Sequence, residues 1–151
     1  MEEQLLRHYL ATLSYRATVA IKDVPSHFPK FKAGKGVRTP VEILSHTSDV
    51  LTLAYSWFQD IEKKKNVGNW EEEVERFYQL LEKLDQVITE RKPMKATNEQ
   101  LLQGPLADAM THVGQLIMLR RLADSPTERE NYIKATIQSG SLRPKTTERN
   151  N

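Results

Sequence analysis

The chain has 151 residues, 38% of them hydrophobic and 28% charged, so it is long enough to bury one core and is expected to form a single domain spanning residues 1–151. The chain has 22 Lys and Arg against 20 Asp and Glu, which gives a net charge of +2. Proteins that bind nucleic acids or anionic membranes typically carry a larger excess of positive charge. Cysteine is absent, which excludes disulfides and thiolate metal ligands, so a metal site would have to use His, Asp or Glu.

The N-terminal residues predict an amphipathic helix rather than a targeting or membrane segment. The stretch MEEQLLRHYL begins acidic and contains neither a basic region nor a long apolar run. Apolar residues then recur at helical spacing from Leu6 to Ile21, and prolines and glycines interrupt the pattern in KDVPSHFPKFKAGKGVR. We therefore predict a first helix ending near Lys22, no membrane span and a cytoplasmic protein.

Two capping patterns mark the next helices. In TPVE, Thr39 is a candidate N-cap, followed by Pro40 at the first helical position and by Glu42 three residues after the cap. This pattern predicts a second helix that runs to Lys64. In NWEE, Asn69 caps a third helix, whose apolar stripe continues to the break at KPMKATN.

The C-terminal third of the chain predicts a long helix, a short helix and a tail. Pro105, after Gly104, is predicted to open the fourth helix, which runs through ADAMTHVGQLIMLRRL. SPTE at residues 125–128 predicts the start of a short fifth helix through NYIKATI, and the polar residues 140–151 predict a flexible tail. Because no run alternates with period two, the predicted fold class is all-α, a four-helix bundle with a short additional C-terminal helix.

The fourth predicted helix carries a narrow polar stripe on an otherwise apolar surface. At about 100° per residue, Asp108, Thr111, His112 and Gln115 fall within one arc of roughly 100°. Such a stripe is usually the solvent face of an amphipathic helix. This one lacks the long charged side chains of EEEVER and IEKKK, and Leu119 falls inside it, so we expect the helix to be buried nearly all round.

Two interpretations of Asp108 and His112 follow from their spacing. They can form a hydrogen-bonded pair, because buried polar groups must find partners. Alternatively, residues four apart on a helix have neighbouring Cβ atoms, so the carboxylate and the imidazole can converge on one metal ion with a third ligand. The candidate for that ligand is His46 of the second helix. It is expected on the flank of the apolar stripe beside Val50, Leu53 and Trp57, away from the polar face of Ser48, Thr52, Ser56 and Gln59. A structural core histidine is the alternative interpretation of His46.

TPVEILSHTSDVL in the second helix and ADAMTHVGQLIMLRRL in the fourth resemble the DinB/YfiT-like superfamily of metalloenzymes, and the resemblance covers all four long helices. It implies an up-down-down-up bundle, often dimeric, that holds a divalent metal between one His of the second helix and two residues four apart on the fourth. Those positions are His46, Asp108 and His112 in this chain. The related enzymes include bacillithiol- and mycothiol-dependent transferases and isomerases, which implies a homodimer and a small-molecule substrate, such as a low-molecular-weight thiol.

The chain departs from the commoner superfamily pattern at Asp108, where that pattern has His. Two His and one carboxylate suit Zn²⁺, Ni²⁺, Mn²⁺ or Fe²⁺. A carboxylate ligand makes the metal a weaker Lewis acid than a third imidazole does, and the short Asp108 could instead orient His112 without touching the ion. Gln115, one turn along the same face, is the candidate for positioning a nucleophile or a substrate.

Two functions of different class remain open at this point. In one, the metal activates water or a thiol in a transferase, isomerase or hydrolase. In the other, the bundle is a non-catalytic metal-binding or vestigial dimeric scaffold that binds a small ligand. An open coordination position beside a pocket favours the enzyme, and a closed trio favours the scaffold. Nucleic-acid binding is disfavoured because Lys and Arg are dispersed among acidic residues.

Overall fold

The computed structural model describes residues 2–64 and 66–144, and within these ranges it contains helices and no strand, which confirms the all-α prediction. In chain order the helices are α1 (Glu2–Ile21), a short 3₁₀ helix (Phe28–Lys30), α2 (Pro40–Ser56), α3 (Trp70–Thr89), α4 (Asn98–Leu101), a π-helical turn (Leu102–Leu106) and α5 (Ala107–Leu122). The four long helices are α1, α2, α3 and α5.

The long helices pack around one apolar core. Helix α1 contacts α3 and α5, and α2 contacts the same two helices. The apolar residues that recur at helical spacing face this core, and burying them supplies most of the stabilisation of the fold. The largest fully buried side chains include Leu10, Leu51, Phe77 and Leu116. In the described part of the chain, no helix combines the length and apolar character that crossing a membrane requires.

Helix α2, which carries His46, begins where the sequence predicts and ends earlier. The hydroxyl oxygen of Thr39 accepts the backbone N–H of Glu42, and the Glu42 carboxylate accepts the backbone N–H of Thr39. The helix stops at Ser56, so the predicted end at Lys64 is wrong. Beyond Phe58 the chain is mostly polar and offers no continuing stripe to bury, and packing rather than local propensity sustains helices in proteins.

The faces of α2 also differ from the expectation. Ser48 and Thr52 are buried, whereas Leu53, expected on the inward flank, is about half exposed. The Thr52 hydroxyl donates to the carbonyl of Ser48 within the helix, which satisfies its hydrogen-bonding group and lets its methyl group pack inside. His46 itself is part-buried.

The helix that carries the polar stripe begins earlier than predicted. Thr97 and Gln100 form a capping box at the start of α4, so the chain is already helical when it reaches Gly104 and Pro105. In an α-helix, Pro105 would lack its N–H bond and crowd the carbonyl four residues before it. The helix widens into a π turn at this point, and Pro105 lies inside it rather than opening the helix.

The predicted fifth helix does not form, because residues 125–144 contain no helix. Tyr132 packs edge-on against Tyr15 and beneath the guanidinium of Arg16, both on α1. Contacts with the bundle thus replace the hydrogen bonds of a helix that would be too short to be stable alone.

The tail that was predicted to be flexible from residue 140 onward is packed as far as Arg143. Leu142 is buried, and its carbonyl accepts a hydrogen bond from the Ser14 hydroxyl. Arg143 pairs with two carboxylates of α3. The rest of the predicted tail, residues 145–151, lies outside the described residues.

Candidate metal centre

His46, Asp108 and His112, the three predicted ligands, lie together. One ligand atom from each residue can be chosen so that all three atoms lie within 4.8 Å of one another. Nε2 of His112 is 3.5 Å from Oδ1 of Asp108, close to the separation of about 3.4 Å that two ligands with 2.1 Å bonds have on a tetrahedral metal. The three side chains therefore form a group that could hold a metal ion.

Two helices hold these side chains in place. Asp108 and His112 are four residues apart on α5, which puts them one above the other on the same face. His46 lies near the middle of α2, which packs directly against α5, and its ring centroid is 4.8 Å from that of His112. Local spacing thus sets two of the ligands, and tertiary packing brings the third to them.

His112 is largely shielded from solvent, with 12% of its side chain exposed, against 47% for Asp108. Both of its ring nitrogens are shielded from solvent and have no hydrogen-bond partner. A neutral imidazole has one donor and one acceptor nitrogen, and leaving both unsatisfied is costly. The hydrogen-bonded pair with Asp108, one of the two interpretations of the sequence, is not formed. A metal ion at either nitrogen would remove part of the cost.

Burial also sets the charge of His112. Loss of hydration lowers the pKa of the imidazole below its ordinary value of 6.5, and nearby Asp108 opposes this effect without reversing it. His46 and Arg38 contribute in the same direction as burial. The ring is therefore neutral at neutral pH, which is the form that binds metals.

We expect His112 to make the stability of the metal-free protein depend on pH below about 6.5. Because the folded pKa is lowered, the unfolded chain takes up the proton first. The contribution of His112 is therefore complete above pH 6.5 and is lost as the pH falls from there through the folded pKa.

Urea denaturation of the wild type and of His112→Gln in EDTA, from about pH 7.5 to about pH 5, measures this contribution. The wild type should lose more free energy of unfolding than the variant over that interval. Equal losses in both proteins would contradict the lowered pKa of His112.

Helix α5 is not buried nearly all round, contrary to the expectation, because most of its polar stripe is exposed. Asp108, Thr111 and Gln115 are exposed, and the Asp108 side chain retains 47% of its surface. Helix α5 buries one face, formed mainly by Ala109, Val113, Leu116 and Leu119. The solvent-face interpretation is thus right for most of the stripe, while His112 is turned inward from its edge.

A surface cavity of about 860 Å³ opens beside His112. Helix α5, the first turn of α2 and the loop before α2 form its walls. Gln115 is in this wall, and its side chain is close enough to favour the imidazolium form of His112 without making a hydrogen bond of good geometry. The predicted positioning residue therefore lies where it can contact a molecule bound next to the metal ligands.

Sequence patterns did not point to two residues of this cavity, Arg38 and Met118. Arg38 lies in an irregular loop without periodicity, and the available signal was the run of cations in residues 22–38. Met118 is 66% exposed, and the available signal was its place three residues after Gln115, on the same side of the helix.

No family model, no curated protein and no solved structure matches this chain.

Proposed function

We propose that His46, Asp108 and His112 bind one divalent metal ion, and that the protein is a metal-dependent enzyme of the DinB/YfiT-like superfamily that acts on a small molecule. The observation that carries the proposal is the part-buried His112 ring, whose two solvent-shielded nitrogens have no hydrogen-bond partner at the point where three metal-ligand side chains meet. Buried polar atoms are rarely left without partners, and the chemistry of the neighbouring donors suits a cation.

Contacts between the helices support the up-down-down-up order of that superfamily. Arg7, near the start of α1, pairs with Asp85, near the end of α3, as expected for antiparallel helices. Arg120, near the end of α5, donates to the carbonyl of Ala20, near the end of α1, as expected for parallel ones.

The contacts of α2 with α3 support the same order. Arg76, in the second turn of α3, donates to the carbonyl of Ser45, in the second turn of α2, and the N–H of Lys95, beyond α3, donates to the carbonyl of Trp57, beyond α2. Parallel neighbours need a long return connection. Residues 57–69 can span about 43 Å when extended, against about 26 Å for the length of α2.

Two imidazoles and one carboxylate fit Zn²⁺, Ni²⁺, Mn²⁺ or Fe²⁺ and leave coordination positions for a substrate. When bound, the metal would act as a Lewis acid that lowers the pKa of a water or thiol ligand. The chain's own contributions are a neutral His112, the carboxylate charge of Asp108 and the amide of Gln115, which can orient a bound molecule through hydrogen bonds. These roles fit a transferase, an isomerase or a hydrolase, with a low-molecular-weight thiol as one substrate.

The cavity supports an enzyme over a closed structural site. It adjoins His112, its volume is within the range of small-molecule sites, and apolar side chains dominate its walls. We also propose that the protein is a homodimer, on the basis of the superfamily resemblance alone. The exposure of Asp108 favours the second candidate, a metal-binding or vestigial scaffold without catalysis, because a solvated carboxylate contributes less to holding the ion.

Turnover assays on metal-loaded protein distinguish these two candidates. The probes are glutathione or cysteine with 1-chloro-2,4-dinitrobenzene, in which the thiolate displaces chloride, and 4-nitrophenyl acetate, which water hydrolyses. We expect zinc- or nickel-dependent rates that His112→Ala lacks. One bound metal per chain without any rate above that of the variant would instead support the non-catalytic scaffold.

A further inference from the structure

The loop before α2 is strongly basic. Between residues 22 and 38 the only acidic residue is Asp23, and the cations are Lys22, Lys30, Lys32, Lys35 and Arg38. Arg38 is the one among them that lines the cavity beside His112. Arg38 is therefore the one cation of this loop that lies beside the candidate metal centre.

Arg38 has no ion-pair or hydrogen-bond partner among the described residues, unlike Arg7, Arg76 and Arg143, which each pair with a carboxylate. Arg38 interacts electrostatically with Glu42, but the Glu42 carboxylate oxygen accepts its hydrogen bonds from the hydroxyl and the N–H of Thr39. The guanidinium is thus left with its donors available to a molecule in the cavity.

The remaining walls of the cavity are mainly apolar. They are formed by Val37, Ile43, Met118, Leu119 and Leu122, and three of these, Val37, Met118 and Leu122, are about half exposed to solvent or more. The cavity therefore has an apolar surface, one cationic group and the imidazole of a metal ligand on its boundary. A molecule that complements all three must be amphiphilic, with an anionic group at Arg38 and an apolar body against the wall.

We propose that Arg38 binds a carboxylate group of the substrate, whose apolar part lies against Ile43, Met118 and Leu122. The planar guanidinium offers two parallel N–H donors to a carboxylate, which gives orientation as well as affinity. The inference rests on the proposed function in that it names the substrate class of the same site. In this proposal Arg38 determines substrate specificity, whereas the metal ligands hold the ion that contacts the reacting group of the substrate.

The test uses hexanoate and its neutral analogue hexanamide as probes. The full-length protein is titrated without metal in EDTA, because a carboxylate would otherwise also bind the metal. Amide shifts of Gly114, Gln115 and Met118 in ¹⁵N NMR spectra report binding in the cavity. Hexanoate should bind about tenfold more tightly than hexanamide, Arg38→Gln should remove this preference, and Lys35→Gln should keep it. Lys35 is the matched control because it has the same charge, lies in the same loop and does not line the cavity.

Equal affinities for the two probes, or a preference that survives in Arg38→Gln, would overturn the inference. So would a dimer in sedimentation experiments together with no shift from either probe, because a second copy of the chain would then occupy the cavity. Zinc titration keeps the two proposals separate, since Arg38→Gln should bind zinc as the wild type does. An Arg38-dependent preference without zinc binding would support the anion site and remove the metal function.

Discussion

Zinc added to the metal-free protein should raise its melting temperature by about 5–10 °C at a hundredfold excess over the dissociation constant. An ion that binds the folded chain alone stabilises it by about 2.7 kcal/mol under that condition, and each kcal/mol corresponds to about 2–4 °C in a domain of this size. The unfolded chain has no comparable site, because His46 on α2 meets Asp108 and His112 only through the packing of α2 on α5.

His112→Ala should lose most of this gain, with a fall in zinc affinity of about 100-fold or more, since removal of a ligand costs at least as much as removal of an outer partner. Calorimetric titration and a thermal scan with and without zinc measure both effects. His8→Ala is the matched control, because His8 is exposed on α1 outside the group and its loss should leave the shift unchanged. An equal shift in the wild type and His112→Ala would mean that zinc binds elsewhere on the chain.

The starts of α2 and α3 could be predicted because caps are local hydrogen bonds. Thr39 and Asn69 cap α2 and α3 where the sequence indicates, and both accept the N–H three residues ahead. The ends depend on what the helix can bury. Helix α2 stops at Ser56 because its apolar stripe ends, and residues 125–144 pack as an irregular segment although their pattern resembles a helix start.

Some features of the candidate site could likewise be predicted from local spacing, and others depend on the fold. The pairing of Asp108 with His112 follows from spacing on one helix, and the approach of His46 was expected from the face it was predicted to occupy and from the resemblance. The exposure of the stripe could not be read from residue types, because short polar side chains suit a cavity wall as well as a core. Arg38 has no periodic neighbours that reveal its direction, so only the fold shows that it faces the cavity.

Asp108→Ala should lower zinc affinity by about 100-fold or more, and Asp108→His should keep or improve it, if the carboxylate is a direct ligand. Oδ1 of Asp108 is already 3.5 Å from Nε2 of His112, so an ion can contact both without a large movement of α5. A histidine at this position restores a donor, has the greater reach, and gives the three-imidazole set of the commoner superfamily pattern.

The opposite outcome has a distinct physical cause. If Asp108 acts only by orienting His112, its removal weakens binding by about 10–100-fold, and a histidine in its place offers no rescue, because the new ring competes for the same space without contacting the ion. Titration of both variants with Zn²⁺ and Ni²⁺ therefore decides the role, with circular dichroism to confirm that both remain folded. Glu99→Ala is the matched control, since this exposed carboxylate on α4 lies outside the group and its loss should leave the affinity unchanged. Equal losses of metal affinity in Asp108→Ala and Asp108→His would exclude direct ligation. Asp108 would then act by orienting His112 and would not contact the metal.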